Sequence, residues 1–212
     1  MRKITAIKAQ RKNKERVSVF LDGEFAFGLT RIVAGWLQIG QMLSEEKIDA
    51  LKREDEQETA YLRAVNYLSY RPRAKAEIRK NLRKHDVSDE AIEAALERLE
   101  KNNFVNDKEF AKLWIENRNQ FRPRGRRALR MELRQKGVAD EVIENSLNQL
   151  VDEEELLYKA GIKKARKLAS YEWQDFRRKL AAFLARRGFS YGAISPLLPK
   201  FWEEIQEEKE EA

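Results

Sequence analysis

The chain has 212 residues, 37% of them charged and 42% hydrophobic, with a formal net charge of +7, whereas an average globular domain is roughly 25% charged. This favours thin, surface-rich modules over one deep core, and the nine Gly and four Pro are too few turn formers for a many-stranded barrel or sandwich. With no Cys and a single His, a disulfide framework, a thiolate metal cage and a cysteine nucleophile are excluded, and with no long apolar run a soluble protein of the reducing cytoplasm is expected.

The first 43 residues read as a separate module. Arg16 to Leu21 alternates, Asp22-Gly23 is a two-residue turn signal, and Glu24 to Leu29 resumes the alternation, which predicts a β-hairpin. Ile4 to Ile7 is expected to add a strand, because two strands alone are marginal in water. Thr30 is placed to cap a short helix running to Leu37, with Gly40 as its stop.

From Ser44 the apolar period becomes 3.6, through Ile48, Leu51, Ala60, Ala64, Val65 and Leu68, so everything that follows is predicted helical. Shifting the chain by 51 superposes Tyr70-Arg71-Pro72-Arg73 on Phe121-Arg122-Pro123-Arg124, Ile78 on Leu129, Leu82 on Leu133, Ile92 on Ile143 and Leu96 on Leu147. A second shift carries Leu129 to Leu180, Leu133 to Leu184, Gly137 to Gly188, Ile143 to Ile194 and Leu147 to Leu198. The chain therefore reads as three tandem units of period 51.

In the second unit Asn106 with Glu109 forms a capping box, and the first helix ends near Asn119 or Gln120 ahead of Pro123. A second helix runs to about Lys136 with Gly137 as its left-handed stop, and a third spans roughly residues 139–150. The fold class expected is mainly α: elongated tandem three-helix-bundle repeats with a small N-terminal β-hairpin module. The divisions are 1–43 for the hairpin module, 44–104 for the first repeat with a lead-in helix, 105–152 for the second, and 153–212 for a degenerate third. In the third, Pro196 and Pro199 are expected to interrupt the last helix, and the tail from Glu203 to Ala212 holds six Glu and one Lys.

Nothing resembles an active site. His85 is expected in solvent at a helix end, no carboxylate spacing matches a metal loop, and no glycine-rich phosphate loop occurs, so no catalysis, metal or cofactor is expected. The basic residues are more informative. Lys75, Arg79 and Arg83 recur four apart on one helix, and Arg126, Arg130 and Arg134 repeat them one unit later, with Arg71, Arg73, Arg122, Arg124 and Arg127 extending both rows into the turns. Spacing of four places each trio on one helix face. Between Arg122 and Arg134 the only acid is Glu132, so these rows are expected to form an uncompensated basic track for a polyanion or an acidic protein groove. Among the aromatics, Trp36, Trp173 and Trp202 are expected to pack, as are Tyr61, Tyr67, Phe110 and Trp114. Tyr70 and Phe121 stand apart because each precedes an Arg-Pro-Arg turn.

These residues resemble a known family. The pattern Ala64-x2-Tyr67-Leu68-Ser69-Tyr70-Arg71-Pro72-Arg73, then Glu77-Ile78-x3-Leu82, Asn103-Phe104-Val105-Asn106-Asp107-x2-Phe110-Ala111 and Leu133-x2-Lys136-Gly137-Val138, is similar to the RecX family, and Glu15 to Phe27 is similar to the extension of its longer members. The resemblance implies a modulator, usually an inhibitor, of the RecA recombinase, built of three-helix repeats that lie along the groove of the RecA filament on single-stranded DNA. It implies lowered filament extension, strand exchange, ATP hydrolysis and coprotease activity, and hence a part in DNA repair and the SOS response, exerted by a monomer. Ala74 and Gly125 stand where that pattern often has Ser, so the turn is expected to be held differently. A module that binds single- or double-stranded DNA directly is the competing reading, and would show a log-log salt slope near −5 for duplex if about six phosphates were neutralised. A helical scaffold for peptides is a third, and would call for a large apolar groove.

Overall fold

The computed structural model describes residues 1–210. It divides into two compact units, Met1–Val105 and a second that begins at Asn106.

In the first unit the strands β1 (Arg2–Ala9), β2 (Arg16–Leu21) and β3 (Glu24–Thr30) form an antiparallel sheet, with the short β4 (Met42–Leu43) added outside β1, in the order β3-β2-β1-β4. The hairpin of β2 and β3 is thus one side of a four-stranded sheet, with β3 at the edge. The two-residue β4 carries too little sequence to be read as a strand. Asp22 and Gly23 both take positive φ, 52° and 91°, as the primed turn between right-twisted strands requires. The Asp22 carboxylate is locked by the Lys3 amide at 3.0 Å and Arg2 Nε at 3.2 Å, and the Lys3 amide leads in holding its pKa below the ordinary value.

Helix α1 is one turn, Arg31–Ala34, and does not extend to Leu37. Thr30 precedes it without a side-chain cap; its hydroxyl is buried and unpartnered, because the sheet turns it inward. Trp36 is 90% exposed, so the expectation that it packs is corrected: the helix ends before Trp36 could reach the core.

Helix α2 (Glu45–Leu68) serves two cores. Ser44 caps it by accepting from the Lys47 amide. Its first half lays Ile48 and Leu51 against Ile4, Val17, Val19, Leu21, Phe27 and Leu29 of the sheet. Its second half gives Ala60, Tyr61 and Ala64 to a separate core with Ile78 and Leu82 of α3 (Lys75–Arg83) and Ile92, Leu96 and Leu99 of α4 (Asp89–Lys101). Each fully buried Leu or Ile contributes about 1.5–3 kcal/mol. Between the two cores, Asp55 accepts from the Thr30 amide at 2.5 Å and from Arg16 Nη2 at 2.7 Å, which ties the sheet to the helix.

The second unit holds two further helix trios: α5 (Asp107–Phe121), α6 (Arg126–Gln135) and α7 (Asp140–Leu150), then α8 (Glu153–Arg166), α9 (Trp173–Arg186) and α10 (Tyr191–Glu210). Asn106 caps α5 by accepting from the Lys108 and Glu109 amides. The positions paired by the 51-residue shift share burial: Ile78, Leu129 and Leu180 are all 0% exposed, as are Leu82, Leu133 and Leu184 and then Ile92, Ile143 and Ile194. The left-handed stop recurs as well, at Asp86 (φ 56°), Gly137 (φ 78°) and Gly188 (φ 88°). Asp is one of the few non-Gly residues that visits this region.

Pro196 and Pro199 lie inside α10, which continues through both. This corrects the expected interruption. Both prolines are on the exposed face, where water can meet the carbonyls left without donors. The opposite stripe of Ile194, Leu197, Leu198, Phe201 and Ile205 is buried, and that burial offsets a cost of about 3 kcal/mol per interior proline. The acidic tail continues α10, its Glu204 accepting from the Tyr158 hydroxyl at 2.7 Å and Glu208 from Arg166; Glu211 and Ala212 lie outside the described residues.

Candidate functional site

The basic rows lie on α3 and α6 as the spacing predicts, but their charge is compensated. The acids come from the next helix. Arg79 forks onto Glu93 with both contacts at 2.8 Å, and Arg130 forks onto Glu144 at 2.5 and 2.8 Å. Arg83 meets Asp89 at 2.9 Å, and Arg134 meets Asp140 at 2.6 and 3.0 Å. At the far end Lys75 pairs with Glu100, and Arg126 donates to Asn148. Under the 51-residue shift Arg79–Glu93 falls on Arg130–Glu144 and Arg83–Asp89 on Arg134–Asp140, so each trio is an inter-helix ladder holding α3 to α4 or α6 to α7. The expectation of an uncompensated row is corrected: acids sought four residues away on the same helix sit 14 or 6 residues away, across a turn.

In the ladders Glu93, Glu144 and Asp140 are held below their ordinary pKa values. The Arg79 guanidinium holds Glu93 below its ordinary 4.5, and Arg130 does the same for Glu144. A depressed carboxylate contributes stability above its unfolded pKa and loses it as pH falls through the folded one. Replacing both residues with Gln is therefore expected to lower stability at neutral pH by the modest amount of two exposed pairs, about 0.2–1 kcal/mol each, and Tm with it. Thermal melts should show the gap from the parent closing as pH drops below 4.5. A gap independent of pH would assign the ladders no electrostatic role.

The turn residues divide further. Arg71 forks onto Glu77 at 2.9 and 3.4 Å, and Arg73 lies over the Tyr67 ring at 4.0 Å. Arg124 Nε is 3.0 Å from Glu132 Oε1, an ion pair without hydrogen-bond alignment, and Glu132 also takes Arg118 and the Trp114 indole, each at 2.8 Å. Arg122 and Arg127 are exposed and have no partner among the described residues. The reason for Arg122 is local: the acid that serves Arg71, Glu77, corresponds to Ala128 in the second repeat.

Arg122 opens onto a cavity of about 570 Å³ between α5, α8 and α9. Lys163, Lys164 and Lys167 line it, with Arg187 on the far wall. Arg187 donates to the Pro123 carbonyl at 3.5 Å and lies over the Phe183 ring at 5.0 Å; burial, then Arg124 and Arg122, push its pKa down. No Asp or Glu lines the cavity, whereas Phe121, Tyr158 and Phe183 do. Phe121 is 68% and Tyr70 is 76% exposed, so the two aromatics set apart in the sequence are both available. Arg127 opens onto a neighbouring hollow of about 520 Å³ with Arg126, Arg130 and Tyr191. The α8 lysines lie outside the predicted basic rows, which cover only the first two repeats; the run Lys163-Lys164-Ala165-Arg166-Lys167, with no acid among them, is the signal in the sequence that marks them.

Beside the cavity two backbones touch. Gly125, the residue before α6, donates its amide to the Arg187 carbonyl at 3.0 Å, and a Cβ on Gly125 would lie 2.4 Å from the Gly188 carbonyl oxygen. A Ser at 125 would not fit, so the departure noted in the sequence has a tertiary cause. Among the described residues no group of three or more His, Cys, Asp or Glu is placed to hold a metal ion, and no helix is long and apolar enough to cross a membrane.

Four family models match the chain in order: the regulatory protein RecX N-terminal domain over residues 2–44, and the first, second and third RecX three-helix domains over residues 60–99, 106–147 and 152–198. Regulatory protein RecX of Bacillus pumilus is 33% identical, with 98% of this chain and 81% of that protein aligned; that of Bacillus licheniformis is 34% identical over 92% and 76%. A crystal structure of regulatory protein RecX superposes with a TM-score of 0.74 at 30% identity, covering 92% of this chain and 98% of the other. RecX from Lactobacillus salivarius gives 0.64 at 26% identity, covering 70% and 97%. With its strand module and three helix trios matched in sequence and in fold, the chain belongs to the RecX family of regulatory proteins.

Proposed function

We propose that this chain is a non-enzymatic regulator of RecA, acting in the cytoplasm as a monomer that binds in the groove of the RecA filament on single-stranded DNA. It limits filament extension and thereby lowers strand exchange, ATP hydrolysis and coprotease activity. The observation that supports this reading most directly is the duplicated ladder, in which one scaffold with the same ion pairs occurs twice in one chain. A repeated scaffold suits a partner that offers the same site many times, because linked weak contacts raise effective affinity. Within the eleven-residue basic set, Arg122 and Arg127 have no partner among the described residues and bear the contact, while Arg71, Lys75, Arg79, Arg83, Arg124, Arg126, Arg130 and Arg134 hold the bundles and Arg73 is stacked.

Purified protein added to a RecA DNA-dependent ATPase assay is expected to lower turnover at less than one molecule per RecA protomer. The Arg122→Glu/Arg127→Glu variant should need about tenfold more protein for the same effect, since reversed charges oppose an acidic partner. An unchanged ATPase rate with the parent protein would sink the reading. Unchanged potency of the variant would remove these two arginines from it. A second reading, direct contact with DNA, is favoured by one observation, the acid-free cavity beside Phe121.

A further inference from the structure

We infer that the cavity between α5, α8 and α9 binds the backbone of single-stranded nucleic acid, with Phe121 at its rim as a stacking platform for a base. The inference rests on the direct-contact reading and needs no recombinase.

Four cations, Arg122, Lys163, Lys164 and Lys167, face one hollow without a carboxylate partner. Lys159, which also lines the hollow, is paired with Glu155 at 2.5 Å, and Arg166 on the same helix is paired with Glu208 at 2.6 Å, so the fold compensates two cations of α8 and leaves these four open. The cluster is tolerated because Lys163 and Lys164 lie in the last turn of α8, where unsatisfied carbonyls favour cations. Arg187 is the fifth, half-buried with only a carbonyl to donate to. Gathering guanidinium and ammonium groups without acids costs repulsion that a polyanion relieves; Arg187, whose pKa is lowered by burial first and then by Arg124 and Arg122, stands in the same wall.

The aromatic at the rim decides which polyanion. An acidic peptide has no use for an exposed ring, whereas a single strand presents phosphates and unstacked bases together, the combination met by a cationic groove flanked by aromatics. Duplex DNA keeps its bases stacked and would leave Phe121 idle. Asn119 in the wall is occupied, donating to the Leu150 carbonyl at 3.0 Å, so it offers the strand no free amide donor there.

The test measures fluorescence anisotropy of a labelled oligo(dT) with the full chain and no recombinase. Neutralising four phosphates predicts a single-strand log-log salt slope of about −3. Lys163→Glu/Lys164→Glu/Lys167→Glu should weaken binding at least about a hundredfold and flatten the slope by about 2. The control Lys80→Glu/Lys84→Glu/Lys101→Glu makes the same charge change on the first repeat and should cost far less. Phe121→Ala should weaken oligo(dT) by about tenfold and leave a duplex of equal length unaffected. Circular dichroism establishes that each variant is folded. Equal losses in the two triple variants would overturn the site in favour of general electrostatics. Competition by poly-glutamate as strong as by oligo(dT), or indifference to Phe121→Ala, would overturn nucleic acid as its ligand. None of these outcomes touches the ATPase result, so failure here and failure of the filament reading are separable.

Discussion

Asp55→Ala is expected to release the N-terminal sheet from α2 and to lower the stability of the first unit by about 3 kcal/mol. Asp55 is 7% exposed, and its two oxygens are fully used: Oδ1 takes the Thr30 amide at 2.5 Å and Oδ2 takes Arg16 Nη2 at 2.7 Å. Removing the carboxylate leaves a buried amide without an acceptor and a guanidinium that keeps only neutral partners, Thr59 Oγ1 at 3.0 Å and the Gly28 carbonyl at 3.2 Å. The cost is that of the abandoned partners more than of the lost attraction. Asp55→Asn retains an acceptor for Thr30 and should lose about half as much.

Hydrogen exchange gives the cleanest readout, because a chain of two compact units need not melt in one step. Protection should fall in β1, β2 and β3 and persist in α5, α6 and α7. Unaltered protection in the sheet would show that the apolar contacts of Ile48 and Leu51 suffice, and that Asp55 is not the tie. Uniform loss across both units would mean that the two do not open separately.

What the sequence made legible follows from how local each signal is. Apolar periodicity and the 51-residue shift name the buried positions of all three repeats because a helix face is written within seven residues. The Asp22-Gly23 turn is written in two. The ladders were half legible: Arg79, Arg83, Arg130 and Arg134 are spaced by one helix, but Glu93, Asp89, Glu144 and Asp140 belong to the next one. Testing for compensation at four residues therefore returned a track where the fold builds pairs. Of the eleven basic residues only Arg122 and Arg127 are left open, and the lysine cluster on α8 lies outside that set. Pro196 and Pro199 were misread for the opposite reason: the local rule is sound, but a buried stripe on the other side of α10 outweighs it.

Gly188→Ala is expected to be the costliest single methyl in the second unit. Gly188 has φ +88°, and a Cβ there would meet the Ala128 Cβ at 2.4 Å and the Ala128 amide nitrogen at 2.6 Å. Two penalties combine, about 1–2 kcal/mol for the left-handed backbone and a further ~1–3 kcal/mol for overpacking, since the atoms met belong to the first turn of a helix and cannot swing away. Gly40→Ala is the matched comparison: φ is +95° but nothing lies within 4 Å of the added carbon, so only the backbone penalty applies. Relief at 188 requires the α9–α10 turn to withdraw from α6, which breaks the bond from the Gly125 amide to the Arg187 carbonyl and draws Arg187 out of the cavity wall. The substitution should therefore lower protection of α6 and α9 and, in the same sample, weaken oligo(dT) binding, whereas Gly40→Ala leaves binding intact. Equal destabilisation by the two would show that the close approach is absorbed elsewhere. Destabilisation at 188 with undiminished oligo(dT) binding would separate the cavity from the glycine contact that shapes it here.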